Sequence, residues 1–203
     1  MKQPILYSFR RCPYAIRARM ALYYSNIAFD IDEVNLKDKP KILFDLSPKG
    51  TVPVLQTSEG IIDESMEIIH YALNLNDPMG WLSSDPKVIE ENKTLIDHND
   101  NRFKYHLDRY KYPNRYPHEL RATHQQAVLD SMIALEQKLY VGQFLLGQHI
   151  QVADVALFPF IRQAANVDIT WFEEQDLPHL KHWLHYWLSS QWFKEAMHHN
   201  TQQ

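Results

Sequence analysis

Residues 7–17 read Tyr7-Ser8-Phe9-Arg10-Arg11-Cys12-Pro13-Tyr14-Ala15-Ile16-Arg17, and this stretch decides the fold. It joins a short β-type run, Pro4 to Ser8, to a helical pattern from about Pro13 to Ser25. Ile16, Met20 and Tyr23/Tyr24 recur there at helical spacing, Arg17 and Arg19 sit off that stripe, and Asn26 is placed to stop the helix. Proline suits the first turn of a helix. Cys12 therefore falls at a helix N-terminus, among unpaired backbone N–H groups and the positive end of the macrodipole. Residues 8–19 also carry Arg10, Arg11, Arg17 and Arg19 and no acid. Both effects favour thiolate over thiol, below the usual cysteine pKa of about 8.5. Two readings stay open: a nucleophile that opens a disulfide or attacks an electrophile, or a plain helix cap or small buried residue. Ala15 occupies the place where a dithiol oxidoreductase carries its second cysteine. A turnover through Cys12 must then be resolved by an external small thiol.

Working outward, Ala28 to Val34 alternates in period 2 and reads as a half-buried strand. Pro40 opens a short helix through Leu46, broken by Ser47-Pro48-Lys49-Gly50. Val52 to Gln56 is a third strand, and Ser58-Glu59-Gly60 turns into a brief fourth, Ile61-Ile62. Glu64 to Leu75 is a helix with Met66, Ile69, His70 and Leu73 on one side. The order β-α-β-α-β-β-α implies a parallel first pair and an antiparallel final hairpin, hence a small mixed sheet covered by helices. Pro53 at a strand entrance is either an ordinary trans proline or a cis one that leaves the Val52 backbone free for an extended ligand. Asp63-Glu64-Ser65 is either a plain cap or an anion site with the Ser65 hydroxyl added.

Residues 76–86 are rich in breakers and read as a linker. Beyond them lie only helical patterns: Lys87 to Lys111, Glu119 to Val141 (Leu120, Ala127, Ile133/Ala134 and Leu135/Leu139 on one face), Val152 to Asn166, Leu177 to Ser189, and Gln191 to His198. The expected organisation is an α/β domain over 1–77, a linker over 78–86 and an all-α bundle over 87–203.

Composition limits the function. At 203 residues the chain has room for one large or two small domains, about 1.4 on the usual length prior. Lys plus Arg is 21 and Asp plus Glu 25, a net charge of −4, which argues against a nucleic-acid binder built on phosphate neutralisation. Five glycines, no two closer than five residues, exclude GxGxxG and the P-loop. The single cysteine excludes an internal disulfide and polycysteine zinc sites. No signal-peptide core and no run of about 18 apolar residues is present, so a cytoplasmic protein without a membrane segment is expected.

Four motifs in register resemble the glutathione S-transferase superfamily: residues 7–17 above, Lys39-Pro40, Val52-Pro53-Val54-Leu55 and Glu64-Ser65. The similarity is to its cysteine-bearing, omega-like members. It implies a thioredoxin-like N-terminal domain, an all-helical C-terminal bundle, glutathione as cosubstrate with no metal, and a homodimer. It further implies that Cys12 faces the glutathione sulfur or joins it in a mixed disulfide, and that the Val52 backbone before a cis Pro53 pairs with the cysteinyl unit. Glu64 and Ser65 would hold the γ-glutamyl end, and Lys39 would lie near the glycyl carboxylate. Phe9 and Arg10 would border the pocket for a small electrophilic or disulfide substrate. The expected function is thiol transfer, with reduction of disulfides or dehydroascorbate-like compounds. The alternatives are conjugation of electrophiles through Ser8 or Tyr7, and a non-enzymatic interaction protein of the stringent-starvation-protein kind on the same fold. One departure stands out: Gln151 occupies the cap position where the family carries Ser or Thr, three residues before Asp154. Asp154 can still reach back to the Gln151 N–H, with Ile150 against Val155 as a staple.

Three features lie outside that pattern. Tyr105 and Arg109, with Phe103, Tyr110 and Tyr112 nearby, are bundle core with snorkelling charge or part of a second-substrate pocket. His179, His182 and His185 read as a solvated or interface face rather than a metal cluster. His198-His199 reads as a mobile tail.

Overall fold

In the computed structural model, which describes residues 3–198, the run after Pro4 forms β1 (Ile5–Ser8). It pairs in parallel with β2 (Asp30–Glu33) and antiparallel with β3 (Val54–Gln56), so that Leu6 faces Ile31 on one side and Leu55 on the other. The hairpin partner β4 (Ile61–Ile62) completes the order β2-β1-β3-β4. Between the strands run α1 (Pro13–Tyr24) and α2 (Lys41–Leu46), and α3 (Ser65–Leu75) follows β4. Asn26 ends the α1 connection with φ at +51°, a left-handed position that asparagine tolerates. Gly50, at φ +56°, turns the chain so closely on Phe44 that a Cβ there would enter the ring.

Alternation along β1 divides the core. Tyr7 joins Val34, Leu43 and Val54, with Ile5, Leu46 and Val52 packed against them. Leu6 and Leu55 are fully buried, and α1 packs against α3. Helix α3 buries Ile68, Ile69, Ala72 and Leu73. The expected side, with Met66 and His70, is out of phase by about one residue, and His70 is exposed.

Helix α1 departs from a one-faced pattern. Ten of its twelve residues are buried, Arg17 and Arg19 among them. The cause lies far along the chain. The last described helix, α10 (Gln191–His198), packs on α1, with the Trp192 ring edge-on to Tyr24 at 5.5 Å. Residues 3–79 and 188–198 thus make one unit, and residues 80–187 the other. The segment 188–198 groups with the sheet rather than with the helices before it. His198 closes α10, and His199 lies outside the described residues.

In the second unit the expected helix over 87–111 is composite. It comprises α4 (Pro86–His98), a π-helical turn (Asn99–Phe103) and α5 (Lys104–Lys111), followed by a 3₁₀ turn at Pro113–Arg115. Next come α6 (Arg121–Val141), α7 (Val152–Ala165), α8 (Ile169–Glu174) and α9 (Pro178–Ser189). Helix α6 buries His124, Val128, Met132, Leu135 and Leu139. Leu135 and Leu139 of the expected face are buried, whereas its Leu120 is 76% and Ile133 40% exposed, so the face is corrected at those two positions. Helix α8 is absent from the sequence reading, although Asp168 caps it by accepting from the Trp171 N–H at 3.0 Å.

Helix α7 is the unit's axis, with twelve of fourteen residues buried. Its Asp154 carboxylate is fully buried. It accepts from the Leu145 N–H (3.0 Å), the Gln151 N–H (2.9 Å) and the Trp183 indole N–H (2.8 Å). Burial pushes its pKa up to about 6, against the pull of these three donors. The Asp154 half of the expected cap is therefore formed, while the Gln151 Oε1 is buried with no partner among the described residues.

Candidate functional site

The β1–α1 turn presents Cys12 as the N-cap of α1, half-buried, in extended backbone (φ −72°, ψ 121°). Pro13 follows at the first helical position and is buried. The turn is closed by the Cys12 N–H donating to the Phe9 carbonyl at 3.0 Å, and the helix begins with the Ile16 N–H on the Cys12 carbonyl at 2.9 Å. Cys12 Sγ lies 3.7 Å from the Val52 carbonyl oxygen. The Val52–Pro53 peptide is cis, and Pro53 is buried. Cys12, Val52 and Pro53, distant in sequence, are therefore brought together.

At the start of α3, Glu64 is the N-cap and no side chain caps the helix. Asp63 is engaged instead by the Ser47 hydroxyl (2.6 Å) and the Lys49 ammonium (3.4 Å). These bonds, Ser47 first, hold its carboxyl below the usual range against a smaller effect of burial. Lys49 also forms an ion pair with Glu64. Ser65 is 4% exposed, and its Oγ accepts from Arg17 Nε (3.1 Å) and Nη2 (2.9 Å). With both oxygen lone pairs so occupied, the Ser65 hydroxyl hydrogen is left to donate. A helix N-terminus backed by a buried guanidinium suits an anion, and the neighbouring carboxylates suit an ammonium group.

The remaining expected residues fall as follows. Lys39 is exposed, its Nζ 5.9 Å from the Phe44 ring. Phe9 is half-buried, and Arg10 is exposed with its backbone N–H on Glu33 Oε1 at 2.6 Å. Tyr105 and Arg109 belong to the second unit. The Arg109 guanidinium lies 3.4 Å from the centre of the Tyr105 ring and 4.3 Å from that of Tyr116, and its Nε donates to Glu119. Glu119 also meets His124 Nε2 at 3.0 Å, and His124 Nδ1 stands 2.9 Å from His106 Nδ1. The carboxylate requires a proton on His124 Nε2. Neutral His124 then accepts at Nδ1, and His106 donates there.

His182 and His185 are exposed, while His179 Nδ1 is bonded to Glu136 Oε1 at 2.6 Å. Among the described residues no group of three or more His, Cys, Asp or Glu is arranged to hold a metal ion. No described helix is long and apolar enough to cross a membrane.

Sequence reasoning missed Lys49 and the individual roles of Arg17 and Arg19. The available signal was four arginines without an acid over residues 8–19. It was read there as a diffuse field, whereas two of the four are buried, hydrogen-bonded guanidinium groups.

Comparison with known proteins gives two consecutive family matches. A model described as "Glutathione S-transferase, N-terminal domain" matches residues 6–79, and one described as "Glutathione S-transferase, C-terminal domain" matches residues 104–185. The mouse protein "Glutathione S-transferase omega-1" is 40% identical over 67 residues, covering 32% of this chain and 28% of that protein's length. "Probable glutathione transferase" of Aplysia californica is 42% identical over 62 residues, 30% of this chain and 67% of that protein. Among solved structures, glutathione transferase Omega 3C from Trametes versicolor aligns with a TM-score of 0.80 at 18% identity, over 97% of this chain and 84% of that one. A Pseudomonas fluorescens glutathione transferase family member with two glutathione bound aligns with a TM-score of 0.82 at 14% identity, over 96% and 92%. At these identities the structural likeness establishes the fold.

Proposed function

The chain belongs to the glutathione S-transferase superfamily, and from that premise we propose that it is a glutathione-dependent thiol transferase whose nucleophile is Cys12. The observation that best supports this reading is the setting of the sulfur. Cys12 Sγ sits at the N-terminus of α1, 3.7 Å from the backbone of the residue that precedes the cis proline. In that setting a thiolate is favoured and a peptide-like thiol can lie extended along Val52. The start of α3 supplies matching ends: Ser65 with its N–H groups for the γ-glutamyl carboxylate, Glu64 for the ammonium. Lys39, Phe9, Arg10, Tyr105 and Arg109 remain candidate contacts for the rest of the ligands.

The reaction proceeds in two exchanges. Cys12 thiolate attacks the glutathione sulfur of a mixed disulfide; the Cys12–glutathione S–S bond forms and the substrate leaves as its thiolate. A second glutathione thiolate then attacks that bond, releasing oxidised glutathione and regenerating the Cys12 thiolate. The net exchange consumes one glutathione thiol: the substrate leaves as its thiol, and the glutathionyl group that it carried leaves joined to the incoming glutathione as oxidised glutathione. Ala15 leaves no internal thiol to shortcut the second step.

Conjugation through Ser8 or Tyr7 is less well supported. Ser8 is fully buried with its Oγ bonded to Arg19, and Tyr7 is 5% exposed with its hydroxyl toward Gln56 at 3.5 Å. Burial, then Asp32, pushes the Tyr7 phenol up, away from an ionising role. A homodimer in the cytoplasm belongs to the same proposal. Calorimetry with glutathione and a disulfide-exchange assay test it together. Binding that survives in Cys12→Ala while exchange is lost is the expected pair of results. Absence of glutathione binding at millimolar concentration would move the assignment to a non-enzymatic interaction protein.

A further inference from the structure

Arg19 is fully buried in α1. Its guanidinium donates from Nε to the Ala196 carbonyl in α10 (2.8 Å), from Nη1 to Ser8 Oγ and the Phe9 carbonyl (3.4 Å), and from Nη2 to the Arg10 carbonyl (2.9 Å). Met197 Sδ lies 3.8 Å away. Every one of these acceptors is neutral. A cation taken out of water with no carboxylate bonded to it among the described residues is costly, so its position calls for a compensating role.

The carbonyls that Arg19 holds are those of the turn that presents the cysteine. The Phe9 oxygen accepts from both Arg19 and the Cys12 N–H, and the Arg10 peptide is held at both ends, its C=O by Arg19 and its N–H by Glu33. The titratable groups facing Arg19 are Glu33 from β2, Cys12 from the turn and Tyr23 from its own helix, with Arg10 as the like charge; burial pushes the Tyr23 phenol up, so it is neutral at neutral pH, and Glu195 of α10 faces it. Burial lowers the guanidinium to about 10, which leaves it charged at neutral pH.

We propose that Arg19 is a positioning residue for Cys12: it pins the Phe9–Cys12 turn by its carbonyls and supplies the buried positive charge that a Cys12 thiolate faces. This rests on Cys12 being the nucleophile. Arg19 does not touch the substrate; it acts through the turn and through the field at the sulfur.

The test is the rate of Cys12 alkylation by iodoacetamide between pH 5 and 9, on the full chain, with circular dichroism of each variant. Cys12 is the only cysteine, so the label reports one site. Arg19→Met slows alkylation at pH 6 about tenfold, the effect of removing one nearby opposite charge, and moves the midpoint of the pH profile upward. Arg19→Lys recovers part of the rate, because an ammonium keeps the charge without the fork that spans several acceptors. Glu33→Gln, which removes an opposing anion and keeps an acceptor for the Arg10 N–H, speeds alkylation at pH 6 about twofold to threefold, by the same charge rule. A folded Arg19→Met variant with the wild-type profile would overturn the proposal. If that variant fails to fold, unchanged profiles in both Arg19→Lys and Glu33→Gln overturn it. Alkylation needs no glutathione. Arg19-dependent alkylation without disulfide exchange would therefore refute the functional reading and leave only the control of Cys12 reactivity by Arg19 standing.

Discussion

Asp154→Ala tests how the helical unit is held together. The carboxylate is the sole acceptor that the structure gives to three buried donors: the Leu145 N–H before α7, the Gln151 N–H at its start, and the Trp183 indole of α9. Alanine leaves all three without a partner in a site with no solvent access. At about 1–3 kcal/mol for each buried donor left unsatisfied, partly offset by no longer desolvating a charge, the loss comes to about 3–5 kcal/mol. For a chain of this size that lowers Tm by about 6–20 °C. Urea unfolding at pH 7, followed by circular dichroism and by tryptophan fluorescence for the Trp183 region, measures it. Asp154→Asn separates charge from shape. Its Oδ1 keeps Leu145 and Trp183, but its NH₂ group confronts the Gln151 N–H, so the loss is smaller, about 1–3 kcal/mol. The pH dependence has a definite sign. The folded carboxyl titrates at about 6, above its ordinary 3.8, so the folded state binds the proton more tightly. The stability tied to that proton is complete below about pH 4 and is lost as pH rises through 6; Asp154→Asn removes this slope. An Asp154→Ala loss below 1 kcal/mol would refute the reasoning.

Other outcomes follow from the same structure. Cys12→Ala abolishes disulfide exchange and leaves urea unfolding within about 1 kcal/mol of wild type, since it truncates a half-buried side chain whose contact with the Val52 carbonyl is a weak sulfur one; retained exchange activity rejects the nucleophile. Ser65→Ala weakens glutathione binding about tenfold by calorimetry, the effect of one hydrogen bond to a charged group, and leaves the alkylation of Cys12 unchanged. Glu136 accepts the His179 and Leu180 N–H groups at the start of α9 and the His179 ring. Burial raises its carboxyl, but these donors outweigh it and the net shift is downward. The stability it contributes is therefore present above its ordinary range near 4.5 and is lost as pH falls through the folded value. Glu136→Gln costs about 1–2 kcal/mol at pH 7, a difference that urea titrations show closing toward pH 3.

Much of the sheet-bearing unit was legible because its signals are local. Proline after Cys12, the breakers at 47–50 and the two-strand hairpin at 54–62 each act within a few residues. Cys12, the Val52 backbone and the Ser65 helix start are visible as residue types at element boundaries, whereas the role expected of Glu64 comes from the family resemblance alone. The burial of Arg17 and Arg19 was not legible. A stripe argument assumes one covered face, and α1 is covered on the other side by a helix that starts at residue 191. The composite helix over 86–111 escaped for a related reason: a π turn leaves composition unchanged and shifts only the phase. Helix α8 is six residues long and too short for periodicity to register, though Asp168 was a readable cap. Asp63 and Ser65 were read as helix caps or an anion site; their actual partners, Ser47, Lys49 and Arg17, come from segments that only the fold brings near.

The bond from Arg19 to the Ala196 carbonyl spans 177 positions. During synthesis at about 5–20 residues per second, the ribosome has delivered all four strands long before that oxygen exists. For roughly seven to twenty-seven seconds at those rates, from the end of β4 at Ile62 to Ala196, the nascent sheet carries an inward-facing cation whose last acceptor has not been translated. Closure of the first unit thus waits on α10, and translational pausing between β4 and α10 would prolong the interval in which the cysteine turn stands unlatched.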